Sequence, residues 1–318
     1  MGFLMVLSRT GANIFNCIHA RKYVDYRYQK SLNFKIFPHL KPVLVRFTTQ
    51  LTAKVYLNID TVLLGSQSSE HCVGLYSAAV ILNTILITVF TAMMPVFVPR
   101  KVETLNKGEN DNYIILLKKI FSFVIALALP VVVGIEMLGS ELIALLAGDE
   151  FIDATITIRY LAPIVLITSL SNILYHNVLV PRGKEKSVLI CTLVGATANL
   201  SLSFILIPIY QENGAAIGSL ISEIIAFVLS IVYSVRFDKS IKKCVPQVSH
   251  YLIGALAIVV WCVLVKMLIN NYIYILFIGI VGSALLYFII LLITQDVIGL
   301  EFIRIAKILF VRLFLGGK

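Results

Sequence analysis

Long apolar runs, each about as long as a membrane-spanning helix, recur along most of this 318-residue chain. A helix that crosses a bilayer needs about 20 predominantly apolar residues, and inside the bilayer its backbone has to satisfy its own hydrogen bonds. A shorter run, Gly2–Ile18, is interrupted by Arg9 and is interpreted as an incomplete span. Eight runs are long enough: Lys41–Gly65, Val73–Pro99, Tyr113–Leu138, Ala154–Val180, Ser187–Pro208, Gly214–Val235, Leu252–Ile269 and Tyr272–Thr294. The sequence therefore predicts an all-α polytopic membrane protein.

The positions of the basic residues predict how the chain is oriented. The formal net charge is +10, which would also suit a nucleic-acid-binding protein. However, 22 of the 27 Lys and Arg residues lie in alternate connections and in the C-terminal tail, whereas the connections 66–72, 139–153 and 209–213 have none. By the positive-inside rule, the basic side and the C-terminus are expected to be cytoplasmic. The excess charge then contacts anionic lipid head groups, and no nucleic-acid partner is expected.

The run Lys41–Gly65 combines the length of a span with a stripe of polar side chains. Four polar residues recur every four positions, which keeps them near one helix face, and Asp60 follows them. They are Arg46, Gln50, Lys54 and Asn58. Each central Lys, Arg or Asp costs about 2.5–3.5 kcal/mol in hydrocarbon. We therefore expect this helix to face protein or a water-filled cavity.

Two further charged residues, Arg159 and Glu223, lie inside other predicted spans. Two interpretations remain open for the intramembrane charges. In one, Lys54 and its neighbours line a cavity and face a ligand. In the other, Lys54 or Arg159 pairs with Asp60 or Glu223 and holds helices together. The candidate cavity residues are Arg46, Gln50, Lys54, Asn58, Asp60, Arg159 and Glu223.

No catalytic constellation is visible in the sequence. The five His residues are not paired as H-x-x-x-H, the five Cys residues lie far apart, and no G-x-x-x-x-G-K-[ST] loop occurs. The prediction is therefore a protein that is not an enzyme, with no metal and no cofactor. Transport through a polar cavity between helix bundles remains as the function class.

Several sequence strings resemble a known family. These are NIDTVLLG at Asn58–Gly65, VGLYSAA at Val73–Ala79, PRGK at Pro181–Lys184, and a two-helix string at Ala198–Glu223 in which Ile-Pro is followed by Gly-Ala-Ala-Ile. They resemble the C-terminal half of Wzx-type O-antigen repeat-unit flippases. That family belongs to the multidrug/oligosaccharidyl-lipid/polysaccharide exporter superfamily, also called the MATE/MOP superfamily.

The resemblance implies a helical bundle with a C-terminal lobe of six spans, two additional C-terminal spans and a missing N-terminal lobe. The expected division of the chain has four parts. Residues 1–40 are a remnant of a preceding span with a basic segment, 41–236 the six-helix lobe, 237–295 the two additional helices, and 296–318 a basic amphipathic cytoplasmic tail.

The resemblance also implies a function. Family members move undecaprenyl-pyrophosphate-linked oligosaccharide units across the bacterial cytoplasmic (inner) membrane for O-antigen, capsule or exopolysaccharide synthesis. The implied partners are that lipid-linked oligosaccharide, membrane lipids, an N-terminal lobe supplied in trans and other polysaccharide-assembly proteins. A basic stripe suits an anionic pyrophosphate.

Three other functions remain open at this point. A multidrug or cation exporter of the same superfamily would favour an acidic or aromatic cavity, whereas the deep face here is basic. A membrane-embedded polymerase or glycosyltransferase would carry a large outer loop, and the outer connections here are short. A truncated chain that inserts in the membrane and transports nothing is the third.

Overall fold

The structure is a computed structural model that describes residues 10–11, 13–16, 18–19, 59–93, 110–244, 246–294 and 299. The chain divides into two compact units, Met1–Val55 and Tyr56–Lys318. In the first unit, the described residues are helical. The predicted division at residues 40, 236 and 295 stays a prediction, and the amphipathic tail lies outside the described residues apart from residue 299.

The second unit is built from helices in its described part. They are α1 (59–67), α2 (Glu70–Met93), α3 (Asn110–Leu146), α4 (Ala154–Leu174), α5 (Glu185–Phe237), α6 (Ser249–Leu268) and α7 (Tyr272–Ile293). Tyr175–Leu179 continues α4 as a π-helix, and short 3-10 helices occupy Asp149–Phe151, Val180–Arg182 and Lys239–Cys244. Six described segments are long and apolar enough to cross a membrane. This confirms the prediction of an all-α polytopic protein. Of the first predicted span, Lys41–Gly65, only the last turns are described, as the start of α1.

Helix α3 has a kink at Leu138 (φ −113°, ψ 15°), which is where the sequence predicts that this span ends. A second helical segment follows the kink and continues to Leu146. Together the two segments have 37 residues, more than the about 20 that one span needs. The first strong stop signal is Gly148, whose φ of 100° favours glycine.

Helix α5 consists of two spans joined by a sharp turn at Gln211, which has a φ of 52°. The two halves pack face to face as an antiparallel hairpin. A Cβ at Gly195 would lie 3.0 Å from the Cβ of Ala226, and one at Gly218 would lie 2.8 Å from Oγ of Ser203. These small residues therefore form a packing surface between the two halves, as is common for helices that approach closely.

Helix α4 lies at the centre of the lobe and packs against α2, α3 and α5. Its side chains join those of α1, α2, α3 and α5 in one buried apolar cluster. Helices α6 and α7 pair with each other and pack on α3. Nζ of Lys266 on α6 lies 2.8 Å from Oε1 of Glu141, which ties this helix pair to α3.

The two ends of the bundle differ in charge, as the alternation of basic connections predicted. The three connections without Lys or Arg meet at one end, which we call the non-basic end: residues 71–72, 152–153 and 211–213 line one cavity there. At the opposite, basic end, Arg182 donates through Nη1 to the hydroxyl of Tyr113 (2.8 Å) and pairs through Nη2 with Asp238. Burial raises the pKa of the Cys244 thiol beside this cluster.

Arg182 is expected to make the most stabilising contacts between α3, α4 and α5 at the basic end. It also donates to the carbonyl of Val178 (2.9 Å), and its guanidinium lies over the Tyr113 ring. Arg182→Ala should lower stability by about 2 kcal/mol, because hydrogen bonds to charged groups contribute about 1.5–3 kcal/mol. Thermal unfolding in detergent micelles measures this. The exposed Lys186, changed to Ala at the same end, is the control; equal melting temperatures for both variants would contradict the assignment.

Candidate functional site

The structure describes three of the seven predicted cavity residues. Arg46, Gln50, Lys54 and Asn58 lie outside the described residues, so their placement stays a prediction. Asp60, Arg159 and Glu223 are described, and they occupy three different surroundings.

Asp60 is the centre of a polar cluster inside the lobe. Its side chain is buried, with 6% of the residue exposed. Oδ2 accepts hydrogen bonds from the hydroxyl of Tyr76 (3.2 Å), from Nδ2 of Asn199 (3.1 Å) and from Oγ of Ser219 (2.8 Å). Oγ of Ser203 lies 2.9 Å from Oδ1 of Asp60 and 2.8 Å from Oδ1 of Asn199, and its single proton serves one of them. We call these five residues the Asp60 cluster.

The Asp60 cluster lies deep in the bundle. Asn199 is 14 residues from the start of α5 at the basic end, which corresponds to about 21 Å of helix. The cluster joins α1, α2 and both halves of α5, so its hydrogen bonds connect four helical segments. Polar side chains at such depth need partners within the protein, because hydrocarbon offers none.

The hydrogen bonds that Asp60 accepts in the described residues come from neutral donors. Hydroxyl and amide dipoles therefore solvate the carboxylate, and charge-assisted hydrogen bonds of this kind are stronger than neutral ones. Because the four partners come from α2 and from both halves of α5, any ligand that binds the carboxylate oxygens competes with contacts that hold these segments to α1. In the described part of the chain, no three His, Cys, Asp or Glu side chains group as metal ligands do.

Arg159 and Glu223 lie elsewhere in the lobe. Arg159 is exposed on α4, and Glu136 on α3 interacts with it electrostatically. Glu223 is half-buried one helical turn beyond Ser219, and its Oε2 accepts a hydrogen bond from Thr168 on α4 (3.1 Å). The interpretation in which Lys54 pairs with Asp60 or Glu223 stays open, because Lys54 lies outside the described residues.

Four members of the Asp60 cluster were not among the predicted site residues. All four lie within the strings Val73–Ala79 and Ala198–Glu223 that carry the family resemblance, where no role was assigned to them. A signal was present in the sequence: Asn199 and Ser203 are four residues apart on an apolar span, so they share a face that has to find polar partners. Which acid they contact depends on tertiary packing.

Three comparisons with known proteins bear on the chain. Residues 4–156 match a family described as "Polysaccharide biosynthesis protein". No curated protein sequence matches the chain. Among solved structures, the fold is similar to "Lipid II flippase MurJ, inward closed conformation", with a TM-score of 0.63 and 16% sequence identity.

That structural match covers 85% of this chain and 58% of the flippase chain. The matched flippase is a transporter and not an enzyme. At 16% identity the similarity is one of fold. The chain is therefore a multi-pass membrane protein that has the helical fold of a lipid flippase, and its first half matches a polysaccharide biosynthesis family.

Proposed function

We propose that this chain takes part in moving polyprenyl-pyrophosphate-linked oligosaccharide units across a bacterial cytoplasmic membrane, for O-antigen, capsule or exopolysaccharide synthesis. The observation that carries the proposal is the fold, which over 85% of the chain is similar to that of a flippase whose substrate is a lipid. The match of residues 4–156 to a polysaccharide biosynthesis family supports a saccharide as the transported group.

The distribution of charge also supports an anionic substrate. Arg46 and Lys54 lie on the polar face of the predicted helix Lys41–Gly65, on the N-terminal side of the buried Asp60. A pyrophosphate in a cavity of low dielectric constant would gain most from such cations, because electrostatic interactions strengthen as water is excluded. Arg159 is proposed to contribute from α4. In this account Asp60 does not contact the substrate: it holds α1 in place through its hydrogen bonds to α2 and α5.

The transporter is proposed to need a second helical lobe. The chain spans 58% of the length of the flippase chain that it matches. A polar cavity between two bundles is the usual route through secondary transporters. A lobe supplied by another chain, or by a longer form of this one, would provide the opposite wall of that cavity.

Translocation in proteoliposomes tests the proposal. The probe is a polyprenyl-pyrophosphate oligosaccharide with a fluorescent sugar, whose fluorescence in the outer leaflet is quenched by an impermeant reductant. We expect the fraction accessible to the reductant to exceed one half with time when the chain is reconstituted together with its complementary lobe. A fraction that stays equal to that of protein-free vesicles would overturn the proposal. Export of cationic dyes by the same vesicles, with no movement of the saccharide lipid, would favour a drug exporter instead.

Lys54→Ala is expected to slow this translocation by roughly tenfold or more. The loss of one charge-assisted contact to a phosphate costs about 1.4 kcal/mol or more, and about 1.4 kcal/mol corresponds to a factor of ten. Lys54→Arg, which keeps the charge, should retain most of the rate. Lys186→Ala is the control, because Lys186 is exposed at the basic end and outside the proposed cavity. A Lys54→Ala variant that translocates at the unmodified rate would show that Lys54 does not contact the substrate.

A further inference from the structure

The non-basic end of the bundle contains a polar cavity that the proposed function does not use. Its volume is about 410 Å³, and it lies where α2, α4 and the turn of α5 come together. Carboxylate, amide, imidazole and thiol groups line it together with three apolar side chains. The lining residues are His71, Cys72, Leu75, Ile152, Asp153, Ile156, Gln211, Glu212 and Asn213.

Glu212 is the residue that points to a ligand. Only 9% of it is exposed. Its Oε1 accepts a long hydrogen bond of 3.4 Å from Nδ2 of Asn213. Its Oε2 is buried and accepts no hydrogen bond from any residue in the described part of the chain. A buried carboxylate oxygen without a partner is strongly unfavourable, so this oxygen needs a proton, a hydrogen-bond donor or a cation.

The rest of the cavity supplies oxygen atoms and negative charge. Asp153 adds an exposed carboxylate. Oε1 of Gln211 accepts from the thiol of Cys72 (3.2 Å), and Oδ1 of Asn213 lies 3.0 Å from the hydroxyl of Thr157, so both amides are held in place. No Lys or Arg is among the described residues that line the cavity. The charge of the two carboxylates is therefore not balanced by a basic side chain there.

We propose that Glu212 and Asp153 bind a divalent cation of the Mg²⁺ or Ca²⁺ type in this cavity. Such cations prefer oxygen ligands, and Mg²⁺ in particular keeps several waters and is held through one or two carboxylates. Six waters at about 30 Å³ each fill about 180 Å³, which the cavity of about 410 Å³ accommodates.

A cation at this position would join the start of α4 to the turn of α5, because Asp153 precedes α4 and Glu212 lies in that turn. The turn is held in an unusual conformation at Gln211, with a positive φ. Binding would therefore stabilise the non-basic end of the lobe. This site is separate from the Asp60 cluster and does not depend on the proposed transport function.

The test uses the purified full chain in detergent micelles, with MgCl₂ or CaCl₂ as the probe and NaCl at matched ionic strength as the reference. We expect the divalent salts to raise the melting temperature of the unmodified protein by several degrees, because the cation binds only the folded state. The matched control is Glu150→Gln, an exposed acid at the same end that does not line the cavity, and it should keep the full shift.

Glu212→Gln should lose the shift and bind the cation roughly tenfold or more weakly in calorimetric titration, because one of two carboxylates is removed. Asp153→Asn, at an exposed position where the fold is tolerant, provides the same test if the first variant fails to fold. The proposal is overturned if the unmodified protein shows no shift beyond that of NaCl. It is also overturned if Asp153→Asn and Glu150→Gln keep equal shifts.

Discussion

Replacing Asp60 by alanine is expected to lower the stability of the protein by about 2–4 kcal/mol and to abolish transport. The carboxylate accepts hydrogen bonds from Tyr76, Asn199 and Ser219, and Oγ of Ser203 lies within hydrogen-bonding distance of it, so up to four hydrogen bonds would be lost in an apolar interior. Hydrogen bonds between membrane helices contribute about 0.6 kcal/mol on average and up to about 1.7, and those to charged groups more. Four of them together give the expected loss.

Unfolding in detergent, followed by circular dichroism against temperature, measures this effect. Asp60→Asn should fall between the unmodified protein and Asp60→Ala, because the amide keeps one acceptor oxygen but places a donor group among donors. Asp149→Ala is the control, since Asp149 is an exposed acid at the non-basic end. If Asp60→Ala unfolds at the same temperature as Asp149→Ala, the Asp60 cluster does not hold the helices together.

Gly214→Ala is expected to have the second large effect. A Cβ at Gly214 would overlap the carbonyl of Leu206 and approach the amide nitrogen of Ile207 to 3.0 Å. These are backbone atoms on the other side of the turn, so they cannot rotate away as a side chain does. The hairpin of α5 would have to open at the turn. We expect a loss of about 3 kcal/mol, at the upper end of what overpacking usually costs.

Gly134→Ala is the matched control for this substitution. Gly134 lies within α3, and a Cβ there would meet no atom of the described residues within 4 Å. Alanine favours helix over glycine by about 0.5–1 kcal/mol, so this variant should be as stable as the unmodified protein or slightly more stable. Thermal unfolding of the two variants side by side distinguishes a clash from a general effect of adding a methyl group. Equal melting temperatures would show that the turn is wider than described.

The spans themselves could be predicted because the signal for them is local. Hydropathy over about 20 residues fixes where a helix crosses the bilayer, and the absence of Lys and Arg from alternate connections fixes which connections share an end. Residues from three such connections do line one cavity. The predicted end of the third span, Leu138, coincides with the kink of α3, where the backbone leaves helical geometry.

The polar centre could be predicted only in part. Asp60 was recognised as a costly residue in an apolar run, which needs no knowledge of the fold. Its partners lie between 16 and 159 positions away in the chain, and only tertiary packing brings them to it. The burial of Glu212 was not foreseen either, since an acid in a short connection normally faces water. The turn at Gln211 brings this carboxylate into the cavity, and no local signal predicts that conformation for a glutamine.

The separation of Asp60 from its partners imposes an order on biogenesis. Asn199 is synthesised 139 residues after Asp60, which at about 5–20 residues per second is a delay of roughly 7 to 28 s. During that interval the carboxylate of α1 lacks the amide and hydroxyls of α5. The hairpin of α5, by contrast, can enter the bilayer with Ser203 and Asn199 already within hydrogen-bonding distance. The insertion machinery is therefore expected to retain α1 at its protein-lined exit until α5 arrives, and only then to release the assembled lobe into lipid.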